Sequence, residues 1–309
     1  MSTLPFSAII PTRNRTTVLR RTFESLAQQS AQPIEITIVD ASDGTETEEL
    51  CREPVPGLVA RIRWLRAIER GAAVQRNEGV AFAAEGVVAF MDDDILFEPD
   101  CVFRLWTALQ SDPRLGGVNA TITNQQYSRP GSITGGVFRA IHRREETYAG
   151  RVIGPAVNLL PEDRDDLPEV VPVEWLNTTC TMYRRASLPD PPFPDHFTGY
   201  SMCEDLTLSL TVAKLGWKLA NARTARIFHD SQPGDHKRST AELSAMELVN
   251  RHYVMTKVLQ RTRPSDYARL GVWEAFQIAA AARGGVGKVL SESWGKVRGM
   301  SELLVRPRS

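Results

Sequence analysis

The chain has 309 residues, 42% of them hydrophobic, which is enough for one large α/β domain or two smaller ones with a sizeable core. Lys plus Arg and Asp plus Glu number 37 each, so the composition excludes a general positive field for nucleic acid and an acidic tail. Cys51, Cys101, Cys180 and Cys203 lack CxxC spacing, which argues against a zinc site and a secreted disulfide framework.

The N-terminal stretch has no pattern of a targeting signal. Pro11 and the polar residues 13–15 come too early to leave room for the apolar core of a signal peptide. No window approaches the roughly 20 apolar residues of a membrane-spanning helix. We therefore expect a cytoplasmic protein with reduced thiols, whose partners are recognised at local sites.

Strands and helices alternate along the first part of the chain. Apolar runs predict strands at 6–10, 34–39, 62–65 and 87–91, and periodic stretches predict helices at 17–29 and 76–84. Because strand–helix–strand crossovers are right-handed, neighbouring strands should be parallel, with their carboxyl ends on one edge of the sheet. The predicted fold class is α/β, with a Rossmann-like, mostly parallel central sheet flanked by helices.

Acidic side chains follow two of these strands. Asp92, Asp93 and Asp94 come directly after the fourth strand, and Mg²⁺ or Mn²⁺ shared with a substrate phosphate would remove the repulsion between them. An acidic loop facing water explains the triplet equally well on its own. Asp40 and Asp43 follow the second strand and can accept hydrogen bonds from a base or ribose, although Asp, Ser and Gly are also ordinary turn residues.

Three later features have both a chemical and an ordinary explanation. Arg76 opens a helix and can reach a diphosphate, although a solvated helix Arg is the default. Glu204 and Asp205 begin another helix, where the macrodipole favours acids, yet a carboxylate can also serve as a general base. His229 follows an apolar run, where a lone His is more often structural than a ligand.

Between these features the pattern is weaker. Residues 124–172 lose periodicity and gain Gly, Pro and charge, which predicts irregular structure beside the cleft. Order returns at 170–185, where Trp175 can offer an apolar face to a ligand, although a large aromatic is more often part of the core.

Four motifs follow one another in a fixed order: Ile9–Arg15, Ile38–Gly44, Gly71–Gly79 and Phe90–Asp94. Their order and spacing resemble the opening of a family 2 glycosyltransferase with the GT-A fold. The resemblance implies an inverting, metal-dependent transfer of a sugar from a nucleoside diphosphate donor. In that family a second acid often follows the position of Asp40, and here Ala41 stands there.

The resemblance also implies roles for single residues. The donor would be held by residues at the strand ends and by the third helix: Pro11, Thr12, Arg13, Asp40, Asp43, Arg76, Asp92 and Asp93. The Glu-Asp motif of the family matches the acid pair, so Asp205 would be the general base. The acceptor would be held by Trp175, Asn177 and Glu204. The metal, Mg²⁺ or Mn²⁺, would be bound by Asp92, Asp94 and His229, and a basic loop with His236, Lys237 and Arg238 would close on the pyrophosphate.

The resemblance divides the chain near residue 230. Residues 1–230 would form the GT-A catalytic domain, with a nucleotide-sugar-binding half (1–115) and an acceptor-binding half (116–230). Residues 231–309 would form the closing loop and a helical C-terminal region. From Trp273 to Val305 apolar and basic residues interleave, as in a helix that lies on an anionic membrane surface, packs on the catalytic domain or packs on a second subunit in a homodimer.

The expected function is transfer of a hexose or deoxyhexose from a UDP- or dTDP-sugar to a glycan or lipid-linked glycan of a bacterial surface, with no nucleic acid partner. One rival, a sugar-nucleotide-forming nucleotidyltransferase, would carry a Gly-rich basic loop after the first strand, which residues 11–14 are not. The other, a catalytically silent sugar-binding scaffold, would have no use for Asp92, Asp94, Asp205 and His229 together.

Overall fold

The computed structural model describes residues 2–231 and 239–305. The chain forms two compact units. Unit 1 comprises Met1–Tyr127 with Leu160–Gln232, and unit 2 comprises Ser128–Leu159 with Pro233–Ser309. The predicted functional halves, 1–115 and 116–230, stay a prediction.

The elements alternate along the chain. The strands are β1 (Ser2–Thr12), β2 (Ala31–Asp40), β3 (Arg61–Arg66), β4 (Val87–Met91), β5 (Ile95–Phe97), β6 (Leu115–Ile122), β7 (Val152–Ile153), β8 (Val157–Asn158), β9 (Val170–Val173), β10 (Cys180–Arg184) and β11 (Lys218–His229). The α-helices are α1 (Thr16–Ala27), α2 (Glu46–Arg52), α3 (Ala72–Phe82), α4 (Cys101–Gln110), α5 (Ser132–Ile141), α6 (Glu204–Lys214), α7 (Thr240–Tyr253), α8 (Pro264–Ala281) and α9 (Val286–Val305).

Unit 1 is built on one sheet. Within the described residues its strands run in the order β3-β2-β1-β4-β10-β6-β11-β5, and β9 pairs with β11. The strands β3, β2, β1 and β4 are parallel, whereas β10 is antiparallel to both of its neighbours. The predicted fold class, α/β with a mostly parallel sheet flanked by helices and a helical C-terminal part, is confirmed.

The core of unit 1 lies between this sheet and its helices. The strand β4 is buried along its whole length, which explains its unbroken apolar sequence. From α1, Leu19, Phe23 and Leu26 enter the same core at helical spacing, with no exposed surface. Burying a side chain of this size contributes roughly 1.5–3 kcal/mol. This packing holds the carboxyl ends of the strands in place.

The parallel strands bring the predicted motifs to one edge of the sheet. Thr12, at the end of β1, stands beside Asp40, at the end of β2, in the register of the pair. The strand β4 runs parallel to β1 and ends one residue before Asp92, whose backbone N–H donates to the carbonyl of Thr179 at 2.9 Å. The strand ends therefore meet as the alternating pattern predicts.

Residues 124–172 are more regular than predicted. They contain the helix α5 and the antiparallel pair β7–β8, so the prediction of irregular structure is wrong for these segments. The helix carries Gly135 and Gly136, which weaken helix propensity and hide its pattern. Phe138 from α5 packs within unit 2 against Tyr148 and Trp273, with ring centroids 5.2 and 6.3 Å away. Tertiary packing therefore stabilises this helix more than its local sequence does.

Unit 2 contains the C-terminal helices. The helix α7 begins with a capping box between Ser239 and Glu242 and continues into a π-helical turn, Val254–Val258. The helices α7 and α9 approach closely at Gly295, where an added Cβ would lie 2.4 Å from the carbonyl oxygen of Ala241. Among the described residues no helix is both long and apolar enough to cross a bilayer.

Candidate active site

Two members of the acid triplet after β4 share one arginine. The side chains of Asp93 and Asp94 are almost fully buried, and the guanidinium of Arg15 donates to Asp93 at 2.6 Å and to Asp94 at 2.7 Å. Thr12 also donates to Asp93, at 2.6 Å. Burial nevertheless raises the pKa of Asp93 to about 7, because these partners only partly offset desolvation. The triplet is therefore not a water-facing loop.

His229 reaches the triplet because β11 pairs antiparallel with β5, which begins directly after Asp94. In this register His229 stands opposite Ile95, and its Nε2 lies 3.0 Å from Oδ1 of Asp94. Burial acts to raise the pKa of Asp94, but the hydrogen bonds from His229 and Arg15 outweigh it and lower that pKa to about 2. The carboxylate of Asp94 thus stays ionised.

Three of these side chains are close enough to share one cation. Ligand atoms of Asp92, Asp94 and His229 all lie within 4.8 Å of one another. Two carboxylates and an imidazole suit Mg²⁺ or Mn²⁺. The Nδ1 atom of His229 lies 3.0 Å from the side-chain amide of Gln125. The atom of that amide next to Nδ1 is its nitrogen, and Nε2 of His229 donates to Asp94, so binding of a cation by this imidazole would displace the Nε2 proton.

Arg76 connects the triplet with the second acidic motif. It lies on α3, is almost fully buried, and donates to Asp92 at 2.7 Å and to Glu204 at 3.3 Å. Arg76 is therefore not the solvent-exposed helix arginine that is the usual case. Its guanidinium also lies 5.9 Å from the ring centroid of Phe193. One buried cation therefore links acids from two distant parts of unit 1.

The acid pair begins α6, where the backbone N–H of Leu206 donates to Asp205 at 2.6 Å. Burial raises the pKa of both carboxyls, and the neighbouring charge of Asp205 adds to the effect on Glu204. The positive charge of Arg76 opposes both shifts. Two adjacent buried acids with raised pKa values can exchange protons near neutral pH.

The acids after β2 differ in exposure. Asp40 has no exposed surface, and it accepts hydrogen bonds from the backbone N–H of Ser42 at 2.8 Å and from Nε1 of Trp64 at 3.0 Å. Asp43 is more than half exposed, and hydrogen bonds from Asn14 and the charge of Arg70 lower its pKa. Asp43 therefore offers more of its carboxylate to a ligand than Asp40 does.

The other predicted ligand contacts lie around the same edge. Pro11 and Arg13 are half-buried on either side of the buried Thr12. Trp175 and Asn177 lie before β10 and are 5% and 8% exposed, so Trp175 offers little of its ring to a sugar. Within the described residues, the buried Oδ1 of Asn177 accepts no hydrogen bond. Their roles towards an acceptor stay predictions.

Two residues of the site have no role in the sequence-based prediction. Arg15 is the last residue of the first motif, and its position two residues after Arg13 is the signal that could have identified it. Gln125, which holds the ring of His229, lies in a stretch without periodicity, so no sequence signal marks it. The basic residues predicted to close on the pyrophosphate, His236, Lys237 and Arg238, lie outside the described residues.

Comparisons with known proteins find glycosyltransferases. A family model described as glycosyl transferase family 2 matches residues 7–158. A PGL/p-HBAD biosynthesis glycosyltransferase of Mycobacterium tuberculosis is 33% identical over 101 residues, which cover 32% of this chain. The aligned part spans only 40% of that relative's length.

Two solved structures share the fold. A mannosyltransferase from Pyrobaculum calidifontis, PcManGT, in complex with GDP-Man and Mn²⁺, aligns with 98% of this chain and 76% of its own, with a TM-score of 0.53 and 15% identity. TarS 1-349 of S. aureus, in complex with UDP-GlcNAc, aligns with 99% of this chain and 93% of its own, with a TM-score of 0.50 and 15% identity. At this identity the likeness shows the fold alone, and it confirms the predicted GT-A architecture.

Proposed function

We propose, from the match of residues 7–158 to the family model described as glycosyl transferase family 2, that the protein is an inverting glycosyltransferase. It transfers a hexose or deoxyhexose from a nucleoside diphosphate to a hydroxyl group of an acceptor. Asp205 is the general base, and Asp92, Asp94 and His229 hold Mg²⁺ or Mn²⁺. A bound cation would neutralise the negative charge of the diphosphate and, as a Lewis acid, make it a better leaving group.

The observation that supports this proposal is the convergence of two acidic motifs on one buried arginine. Arg76 contacts Asp92 of the first motif and Glu204 of the second. Asp205 lies beside Glu204 and within the electrostatic influence of both Arg76 and Asp92. A cation-binding cluster and a carboxylate base are thus close enough to act on the two ends of one displacement.

The chemistry of Asp205 follows from its environment. Its carboxylate accepts the proton of the acceptor hydroxyl while that oxygen forms a bond to the anomeric carbon. The bond from this carbon to the diphosphate oxygen breaks, and the electron pair leaves with the nucleoside diphosphate. Burial raises the pKa of Asp205, which makes its carboxylate a stronger base than an ordinary aspartate. Base and leaving group stand on opposite faces of the sugar, which gives inversion.

The edge formed by β1 and β2 provides the contacts for the nucleoside. We propose that Asp40 and Asp43 hold base and ribose, with Pro11, Thr12 and Arg13 beside them, and that the diphosphate passes along Arg76 and Asp93. We favour UDP- or dTDP-sugars as donors and a glycan or lipid-linked glycan as acceptor. Trp175, Asn177 and Glu204 are the proposed acceptor contacts, and a cytoplasmic location accords with the four free cysteines.

The base assignment is tested with Asp205→Asn, which keeps the shape of the side chain and removes its basicity. We expect kcat to fall roughly a thousandfold, the scale of a lost general base. Donor binding should persist, so Mn²⁺ with the nucleoside diphosphate should still raise the Tm. The matched control is Asp112→Asn, which removes a partly exposed aspartate of unit 1 that pairs with Arg114 and should leave kcat unchanged. A variant that retained turnover would exclude Asp205 as the base.

The nucleotide is identified by a thermal-shift panel of UDP, dTDP and GDP, each with and without Mn²⁺. A ligand that binds the folded state at 100 times its Kd stabilises it by about 2.7 kcal/mol. We expect UDP or dTDP to raise the Tm most, and only when Mn²⁺ is present. Equal shifts without metal would contradict the role proposed for Asp92, Asp94 and His229.

A further inference from the structure

The last helix, α9, carries an exposed apolar surface along its length. We name it the α9 stripe; its members are Val286, Leu290, Trp294, Val297, Met300, Leu304 and Val305. Their exposed fractions range from 50% at Val297 to 87% at Leu304. A contiguous exposed patch of large apolar side chains indicates an interaction surface.

The spacing of these residues places them on one side of the helix. Steps of three and four residues separate Val286, Leu290, Trp294, Val297 and Met300, and this is the period of a helical face. The opposite side of α9 is occupied within unit 2. There Gly295 and Gly299 lie against α7, as their contacts with the backbone of Ala241 and Ala245 show. The stripe is thus the outer face of a helix already packed on its inner face.

The charges around the stripe are mainly basic. Arg283, just before α9, and Lys288 and Arg298, on other sides of the same helix, are exposed. In the described part of the chain no carboxylate lies within ion-pair distance of Arg283 or Lys288. Arg298 pairs with Glu302 at 3.3 Å. The sequence adds Arg306 and Arg308 directly after α9. A partner that complements this surface is apolar at its centre and negatively charged around it.

We propose that the α9 stripe lies in the headgroup region of an anionic lipid bilayer. Leu and Trp side chains on one helical face with flanking Lys and Arg are the combination that binds such a surface. Tryptophan side chains such as that of Trp294 are enriched at the interface between the bilayer's apolar core and water. A second copy of the chain fits less well, because pairing two stripes would bring together two surfaces that both carry excess positive charge.

The experiment is flotation of the full-length protein with vesicles, without donor or acceptor. One set contains phosphatidylcholine with phosphatidylglycerol, and the other contains phosphatidylcholine alone. We expect the protein to float with the anionic vesicles, to remain free with the neutral ones, and to be released as salt screens the attraction. Because no turnover is measured, the result is independent of the proposed transfer reaction.

The apolar part is tested with Trp294→Glu, for which we expect the affinity for anionic vesicles to fall at least about tenfold. The matched control is Phe103→Glu, which puts the same acid in place of a half-exposed aromatic in the first turn of α4 in unit 1. An acid is favoured at that end of a helix, so the control should fold and bind like the parent. Equal losses in both variants would overturn the proposal.

The basic part is tested with the double variant Arg283→Gln and Lys288→Gln. Each removed charge should weaken binding to anionic vesicles roughly fivefold, since a basic side chain near such a surface contributes about 1 kcal/mol. Binding to neither vesicle set by the parent protein would overturn the proposal. So would a dimer in sedimentation analysis that Trp294→Glu converts to a monomer, because the stripe would then be a contact between two copies.

Discussion

Two acidic clusters, one in each unit, differ in how completely they are neutralised. In unit 1 five carboxylates gather at the carboxyl edge of the sheet: Asp92, Asp93, Asp94, Glu204 and Asp205. Of the described residues, Arg15 and Arg76 form ion pairs with them, and His229 lies beside Asp94. Negative charge is in excess, and burial raises the pKa of Asp93, Glu204 and Asp205.

In unit 2 the acids come closer to balance. Lys296 of α9 is almost fully buried and lies 3.3 Å from Glu247, 2.6 Å from Glu274 and 3.4 Å from Glu292. Arg251 pairs with Glu247 and Glu274. Burial acts to raise the pKa of Glu247, but the charges of Arg251 and Lys296 outweigh it and lower that pKa. At Glu274 burial outweighs the same two charges and raises the pKa. These ion pairs connect α7, α8 and α9.

The difference teaches how a structural cluster can be told from a functional one. Buried charges that are paired hold helices together, and removing one member leaves the others uncompensated. Buried carboxylates in excess of their cations are costly in the free protein, and a ligand that brings positive charge removes the cost. By this criterion we propose a cation-binding role for the unit 1 cluster and a packing role for the unit 2 cluster.

The largest expected effect is on catalysis by the unit 1 cluster. For Asp94→Asn we expect kcat/KM to fall at least about a thousandfold, because the cation loses a charged ligand. The Mn²⁺-dependent rise of Tm with nucleoside diphosphate should be lost as well. Initial rates and thermal shifts at several Mn²⁺ concentrations measure both. An unchanged dependence on Mn²⁺ would show that this cluster does not bind the metal.

The second effect is on the stability of unit 2. Lys296→Met removes a positive charge that pairs with Glu247 and Glu274. We expect the free energy of unfolding to fall by about 3 kcal/mol. The matched control is Lys288→Met on the exposed side of the same helix, which should change the free energy of unfolding by less than about 0.5 kcal/mol. Urea denaturation followed by circular dichroism measures both. Similar values for the two variants would erase the contrast between the clusters.

The smallest expected effect is on the pH dependence of the unfolding free energy of the metal-free protein. Burial raises the pKa of Asp93 from 3.8 to about 7. The stability linked to its neutral form is therefore full below the unfolded pKa and is lost as pH rises towards 7. Asp93→Asn stays neutral, so in chelator it should gain stability over the parent across this range, on the order of 1 kcal/mol.

This gain is measured as the difference in unfolding free energy at several pH values. Asp112→Asn is the control, because hydrogen bonds with Arg114 lower the pKa of Asp112 instead of raising it. No gain is therefore expected for that variant. A gain for Asp93→Asn that is the same at all pH values would mean that the carboxyl of Asp93 does not titrate in this range.

Much of the fold could be predicted from local pattern. The strand β4 was predicted with its observed bounds, because a run buried on both faces must be apolar throughout. The third strand and the first helix were found to within one or two residues. The helix α5 was not found, because its stability comes from Phe138 and its aromatic neighbours and not from its own sequence.

The candidate site was predicted in part. Asp92, Asp94 and His229 were proposed as one metal site, and their ligand atoms do lie within reach of a single cation. Arg76 was expected near a diphosphate, but its ion pair with Glu204 depends on a long-range approach that no local pattern contains. The same is true of Arg15, whose two ion pairs arise only when β1 and β4 become neighbours.

The sequence by itself determined which side chains stand at the ends of strands, because hydrophobic period and strand polarity are local properties of the chain. It also determined the four motifs that resemble a family 2 glycosyltransferase and the acids available for chemistry. Only the tertiary structure decided which charges neutralise one another, since pairing and burial depend on residues far apart in the chain. That choice leaves the carboxylates of unit 1 in excess and those of unit 2 nearly balanced.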